Sequence, residues 1–257
     1  MLENGFFAEI EHREVPWRER SVYVPLFYQE AITISAVFSA SLKKVRTLLP
    51  SPRLHPIRVS PRRCLVSVTA HEFRRSDVGP YNEVGISVPF TLDTPASIID
   101  NLFGRQRGEP NLLIHHLPVT TQIASDIGVE LAAYPKFVAR IDFKDQTQWR
   151  VCRLEEDRQH ILTLGGRKLA THDAPQSRIH CYTFRNGRLL RSEMMVSSRE
   201  LASSENPAYV KLDLGTHPIA QELQDLDIGR LMSYAYAPSY QMILTPVIES
   251  LPSQLAA

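Results

Sequence analysis

A chain of 257 residues with a formal charge of +1, 43% hydrophobic and 22% charged, has the make-up of a globular protein with room for a large core. Its 29 basic and 28 acidic residues give no net pull toward nucleic acid or an anionic membrane. The three cysteines, Cys64, Cys152 and Cys181, are odd in number and far apart, which argues against a disulfide framework or zinc knuckle and for thiols in a reducing compartment.

The N-terminus carries acids where a signal peptide needs basic residues, and no stretch approaches the roughly 20 apolar residues of a membrane span. A cytoplasmic protein is expected, with residues 1–20 as a charged arm around Pro16-Trp17 that carries no chemistry. Tyr28 to Val37 is rich in β-formers and predicts a strand. Ser39 or Ser41 can cap a helix running to Leu49, with Leu42, Val45 and Leu49 as its buried stripe. Ser41-x-x-Lys44 matches the nucleophile motif of penicillin-binding enzymes, but its companion Lys-Thr-Gly is absent, so a capping serine followed by solvated lysines is the reading taken. Strands follow at Cys64 to Phe73 and Val84 to Leu92, joined by a loop from Arg74 to Tyr81. Glu83 stands where that loop meets the second strand.

Asn101 to Asn111 is a polar loop, and Leu112 to Val119 a strand containing His115-His116. Adjacent strand residues point to opposite faces, so these histidines are not expected to share a metal. The others form no HExxH and no H-x-E with a cysteine pair, and no metal or other cofactor is expected. Ile123, Ile127 and Leu131 recur as one face of a helix, and Phe137 to Phe143 alternates as a strand. Between them lies Tyr134-Pro135-Lys136, a lone lysine in an apolar run, with its backbone direction set by the proline. Such a lysine can snorkel its amine to water. If it is buried, desolvation disfavours the ammonium, and a neutral amine can attack a carbonyl.

The rest of the chain predicts a β-meander. Val151 to Leu154 and His160 to Leu164 flank an acidic turn, and Ile179 to Phe184 and Leu189 to Val196 flank Asn186-Gly187, a hairpin signal. Gly165-Gly166-Arg167-Lys168 lacks phosphate-loop spacing and is taken as a turn. Tyr209 to Leu214 is a strand and Ala220 to Leu226 a short helix, while Tyr234, Tyr236 and Tyr240 suit core or interface positions. Many short strands with three modest helices imply a single, mostly antiparallel α+β domain over residues 1–257, whose sheet can close around an interior cavity.

Glu130-Leu131-x-Ala133-Tyr134-Pro135-Lys136 resembles the active-site segment of the acetoacetate decarboxylase family, in which the lysine forms a Schiff base with the substrate ketone. Tyr81-x-Glu83, Phe184-Arg185-Asn186-Gly187 and Tyr234-Ala-Tyr236-Ala-Pro238 fall in the family's order, so the resemblance spans about Tyr28 to Ile248. It implies a cone-like β-barrel with the Lys136 amine inside, a homo-oligomer, a small keto-acid substrate, and Glu83 as a pocket acid or base. Gln29, Tyr134 and Phe137 are the further pocket residues it implies.

Three positions depart from the family's pattern. Phe137 replaces a second lysine, leaving desolvation as the route to a neutral amine. Gln29-Glu30 replaces an Arg-Glu pair. Val66 is aligned to a further pocket carboxylate. These losses put the handling of a leaving carboxylate in question, while imine chemistry can survive them. Decarboxylation of a β-keto acid is the leading expectation. An aldolase or dehydratase using the same lysine, a non-catalytic binding barrel and a structural protein are the alternatives.

Overall fold

A computed structural model describes residues 5–98 and 109–252. In chain order its first half runs β1 (Arg13–Trp17), β2 (Arg20–Val24), β3 (Leu26–Ser41), α1 (Leu42–Leu48), β4 (Leu54–Pro56), β5 (Arg58–Ser60), β6 (Arg63–Ser76), β7 (Tyr81–Leu92), β8 (Asn111–His116) and α2 (Gln122–Leu131). Then come β9 (Arg140–Asp145), β10 (Trp149–Glu156), β11 (Gln159–Arg167), β12 (Ser177–Arg185), β13 (Arg188–Ser204), β14 (Val210–Leu214), α3 (Pro218–Asp225), β15 (Leu231–Leu244) and β16 (Glu249–Pro252).

Strands β3, β6, β7, β8, β12, β13 and β15 pair in a closed ring. The pairing is antiparallel except where β8 runs beside β12. A second sheet, in the order β14-β11-β10-β9, packs against the barrel. Alternation along each strand decides what lies between them. Ile34, Val68, Val84 and Ile86 point out of the barrel and pack in one core with Ile141, Leu154 and Leu164 of the second sheet. Each such buried aliphatic side chain contributes about 1.5–3 kcal/mol. The intervening residues of the same strands are left to face the barrel interior.

The predicted α+β barrel is therefore present, and the three α-helices among the described residues fall where the periodicity placed them. Asn186 and Gly187 both take positive φ, 51° and 73°, and close the β12–β13 hairpin in register with its right-handed twist. Residues 101–108 of the loop expected over Asn101–Asn111 lie outside the described residues.

Several local expectations are corrected. Ser41 occupies the N-cap of α1, but its side chain makes no capping bond. The Gly165–Lys168 stretch is not a turn; Gly165 to Arg167 complete β11. A Cβ on Gly166 would lie 2.3 Å from the Tyr234 hydroxyl, which donates to the Arg167 carbonyl at 2.9 Å, so the glycine is there to let that ring lie on the strand. The predicted arm includes a hairpin, β1–β2, whose Trp17 indole donates to Glu130 at 2.6 Å and whose Arg18 reaches Asp126 at 2.6 Å. It thereby covers α2. The strand expected from Phe137 begins only at Arg140, and Val138 makes an isolated bridge to Val119.

The expectation that His115 and His116 face opposite ways also fails. Ile86 pairs with His116 and Ser87 with Ile114, so His115 is an extra residue in a β-bulge. A bulge re-aims the side chains beside it, and the two imidazole centroids lie 4.3 Å apart.

Candidate active site

The segment leading to Lys136 is fixed by backbone geometry. Thr121 caps α2, accepting from the Ala124 amide at 3.4 Å. The helix ends as Ala133 takes a positive φ of 56°, and both Ala132 and Tyr134 donate to the Gly128 carbonyl. Pro135 cannot donate, which keeps the helix from resuming beyond Leu131. The Lys136 amide then donates to the Tyr134 carbonyl at 2.8 Å, a tight turn that sends the chain along Val119.

This turn points the lysine into the barrel. Its side chain is 3% exposed, and Nζ donates to Glu83 Oε2 at 2.7 Å. Glu83 sits on β7 opposite His71 of β6, and its side chain is 10% exposed. The amine also lies 5.4 Å from the ring centroid of Tyr81 and 6.0 Å from that of Tyr134, within cation–π range. The lysine stem runs against Gly128, where a Cβ would fall 2.5 Å from Cδ and 3.1 Å from Nζ. Gly128→Ala is accordingly expected to displace the amine while leaving the fold intact. Imine formation on Lys136 should slow by about 10²-fold, since a misplacement of about 1 Å can cost that much. Wild-type trapping kinetics in a folded Gly128→Ala protein would contradict it.

Tyrosines surround the ion pair. Tyr81 donates to Glu83 Oε2 at 3.4 Å and also lies 3.2 Å from the Tyr28 hydroxyl. Burial, and after it the Glu83 charge, pushes both phenols above their ordinary value. The Tyr134 hydroxyl lies 2.7 Å from that of Ser192, and burial raises this phenol too. His71 is held down at about 4, chiefly by burial, with Glu83 opposing and Lys136 reinforcing that shift. It is a neutral imidazole near neutral pH, bonded through Nδ1 to Thr33 at 2.8 Å.

The amine and carboxylate open onto a cavity of about 390 Å³ inside the barrel. Its walls differ. On β3, β6 and β7 hydroxyls face inward and pair across the strands, Ser35 with Thr69 at 2.7 Å and Ser67 with Ser87 at 2.8 Å. Opposite them the lining is mostly apolar, with Ile114, Ile179, Val196, Ala237 and Met242 beside Ser177 and Ser198. Lys136 is the only lysine or arginine among the described residues lining the cavity.

Of the residues singled out from sequence, Lys136, Glu83 and Tyr134 line this cavity. Gln29 and Phe137 do not. Gln29 turns toward Asp77, to which its amide donates at 3.3 Å, and Phe137 packs against the core between the sheets. Val66 is likewise in that core; the inward residues of its strand are Ser67, Thr69 and His71. Of the three tyrosines assigned to core or interface, Tyr240 lines the cavity. Sequence reasoning missed His71 and the hydroxyl wall. The signal was present in Thr33-x-Ser35 and Ser67-x-Thr69-x-His71, polar residues at every second position of otherwise apolar strands.

A family model described as acetoacetate decarboxylase matches residues 13–249. Among solved structures, an acetoacetate decarboxylase is similar at 17% identity and a TM-score of 0.63, covering 89% of each chain. The acetoacetate decarboxylase of Legionella pneumophila is similar at 13% identity and a TM-score of 0.62, covering 88% of this chain and 87% of that one. The enduracididine biosynthesis enzyme MppR, complexed with the condensation product of pyruvate and imidazole 4-carboxaldehyde, is similar at 13% identity and a TM-score of 0.63, covering 89% of each chain. No curated protein matches this chain by sequence.

Proposed function

The chain belongs to the acetoacetate decarboxylase family, and from that premise we propose that it is a lyase that binds a keto acid as an imine on Lys136 and cleaves the bond to the carboxylate. The observation that carries this reading is the buried Lys136–Glu83 pair at 2.7 Å, facing a cavity.

The pair supplies both halves of the chemistry. Glu83 takes a proton from the ammonium, and the freed amine attacks the ketone carbon. Loss of water gives the iminium. Its nitrogen accepts the electron pair of the carbon–carbon bond as carbon dioxide leaves, giving a neutral enamine. Glu83, having given its first proton to the hydroxyl that leaves as water, takes another from solvent and delivers it to the enamine carbon, and water then releases the product ketone. With no arginine among the described residues lining the cavity, a substrate carboxylate meets hydroxyls along that wall, and moving it there from water favours its departure.

Cavity size favours one second reading. A volume of about 390 Å³ falls in the range that takes a drug-sized ligand and exceeds what a small keto acid fills. The same enamine could attack a second carbonyl there, in an aldol condensation followed by dehydration.

Borohydride reduction during incubation with acetoacetate should place an adduct on Lys136, located by peptide mass. An adduct lighter than reduced acetoacetate by carbon dioxide supports decarboxylation. An adduct heavier than reduced pyruvate, formed with pyruvate and an aldehyde, supports condensation. Folded protein that yields no adduct on Lys136 with either keto acid would overturn the imine itself.

A further inference from the structure

A second constellation lies outside the cavity. His115 and His116 close β8, and Glu222 projects from α3 toward them. His115 Nε2 is 2.7 Å from Glu222 Oε1, and His116 Nε2 is 3.0 Å from the same oxygen. Neither histidine lines the cavity.

Three features distinguish this group from a chance surface ion pair. First, it depends on the bulge at His115, because a regular strand would send the two rings to opposite faces. Secondly, both rings present Nε2, the distal nitrogen, to one oxygen, and all three candidate ligand atoms lie within 4.8 Å of one another. Thirdly, the side chains are 20%, 22% and 32% exposed, so the group is held by packing but open to an incoming ion and to water.

We propose that His115, His116 and Glu222 form a binding site for a divalent transition-metal ion of the zinc class. Imidazole nitrogens and one carboxylate are the donors such an ion selects over magnesium or calcium. Tetrahedral bonds of about 2.0–2.1 Å put ligand atoms roughly 3.3 Å apart, so the two nitrogens need move from the carboxylate oxygen by only a few tenths of an ångström. Three protein ligands leave the fourth position to water. Binding replaces the two Nε2···O contacts by metal–nitrogen bonds, each imidazole coordinating as its neutral Nδ1–H tautomer, with any Nε2 proton either moved to Nδ1 or released to solvent. No electron transfer is involved. The ion would tie α3 to the end of β8, the strand whose Ile114 lines the cavity.

Cobalt(II) titration of the untagged full-length protein tests this assignment. Visible d–d bands of tetrahedral intensity should appear at one equivalent and vanish on adding zinc, and zinc should raise the Tm. Glu222→Gln, which keeps the size of the side chain, should weaken zinc binding at least about tenfold, as should His116→Ala. Circular dichroism shows whether each variant is folded. Absence of cobalt bands together with a Tm unmoved by zinc would overturn the site. So would zinc binding of unchanged affinity in both variants. Borohydride trapping on Lys136 should be indifferent to chelator, so failure of one proposal leaves the other standing.

Discussion

Lys136→Ala is expected to lose all borohydride-trapped adduct and to reduce turnover to the uncatalysed background. The amine is the only nucleophile in the mechanism, and Lys136→Arg should fail equally, since a guanidinium keeps its proton. Glu83→Gln separates the steps. It preserves the shape of the side chain and a hydrogen bond to the amine but removes the base, and such a loss typically lowers rate by 10²–10⁴-fold. Adduct should still form in that variant, slowly, on Lys136. A Lys136→Ala protein that still turned over its keto acid at the wild-type rate would end the imine reading, whatever the family.

Arg150→Ala is expected to destabilise the protein by about 3 kcal/mol, read as a lower urea midpoint at unchanged slope. Arg150 on β10 is 1% exposed and bridges the two sheets. It pairs with Glu72 of β6 and Asp145 of β9, and its guanidinium lies 4.5 Å from the Phe143 ring. Removing it leaves Glu72 with Arg74, at 3.4 Å, as its one cationic partner among the described residues, while Asp145 keeps Lys168, at 2.8 Å. Because both carboxylates retain some contact with water, the lower end of the range for a broken buried pair applies. Arg150→Met fills the same volume and should cost less. A loss in the alanine variant below about 1 kcal/mol would show that the sheets are joined by apolar packing alone.

The course of the chain around Lys136 was legible because it is local. Ile123, Ile127 and Leu131 mark the helix, and Pro135 keeps it from resuming after Ala133 has turned the chain. The barrel was legible from strand spacing. Which residues face its interior was read only in part, because that depends on register across strands far apart in sequence. Val66 was placed in the cavity and lies one residue from Ser67, which is there. Gln29 was placed there by analogy and turns instead to Asp77. Gly165-Gly166 looked like a turn because the ring of Tyr234, nearly 70 positions downstream, is invisible to local pattern. The His115 bulge was hidden for the same reason, since only its pairing with β7 reveals the extra residue.

The wall between cavity and inter-sheet core is one strand thick along β3, β6 and β7. On these strands odd-numbered residues such as Thr33, Thr69 and Ser87 line the cavity, and even-numbered ones such as Ile34, Val68 and Ile86 hold the two sheets together. Direct neighbours in the chain therefore answer to different selective demands. A single exchange at an odd position can alter what the barrel accepts with little effect on foldedness, whereas one at an even position is constrained by close packing. Substrate preference in such a barrel can drift by point mutation while its architecture stays put.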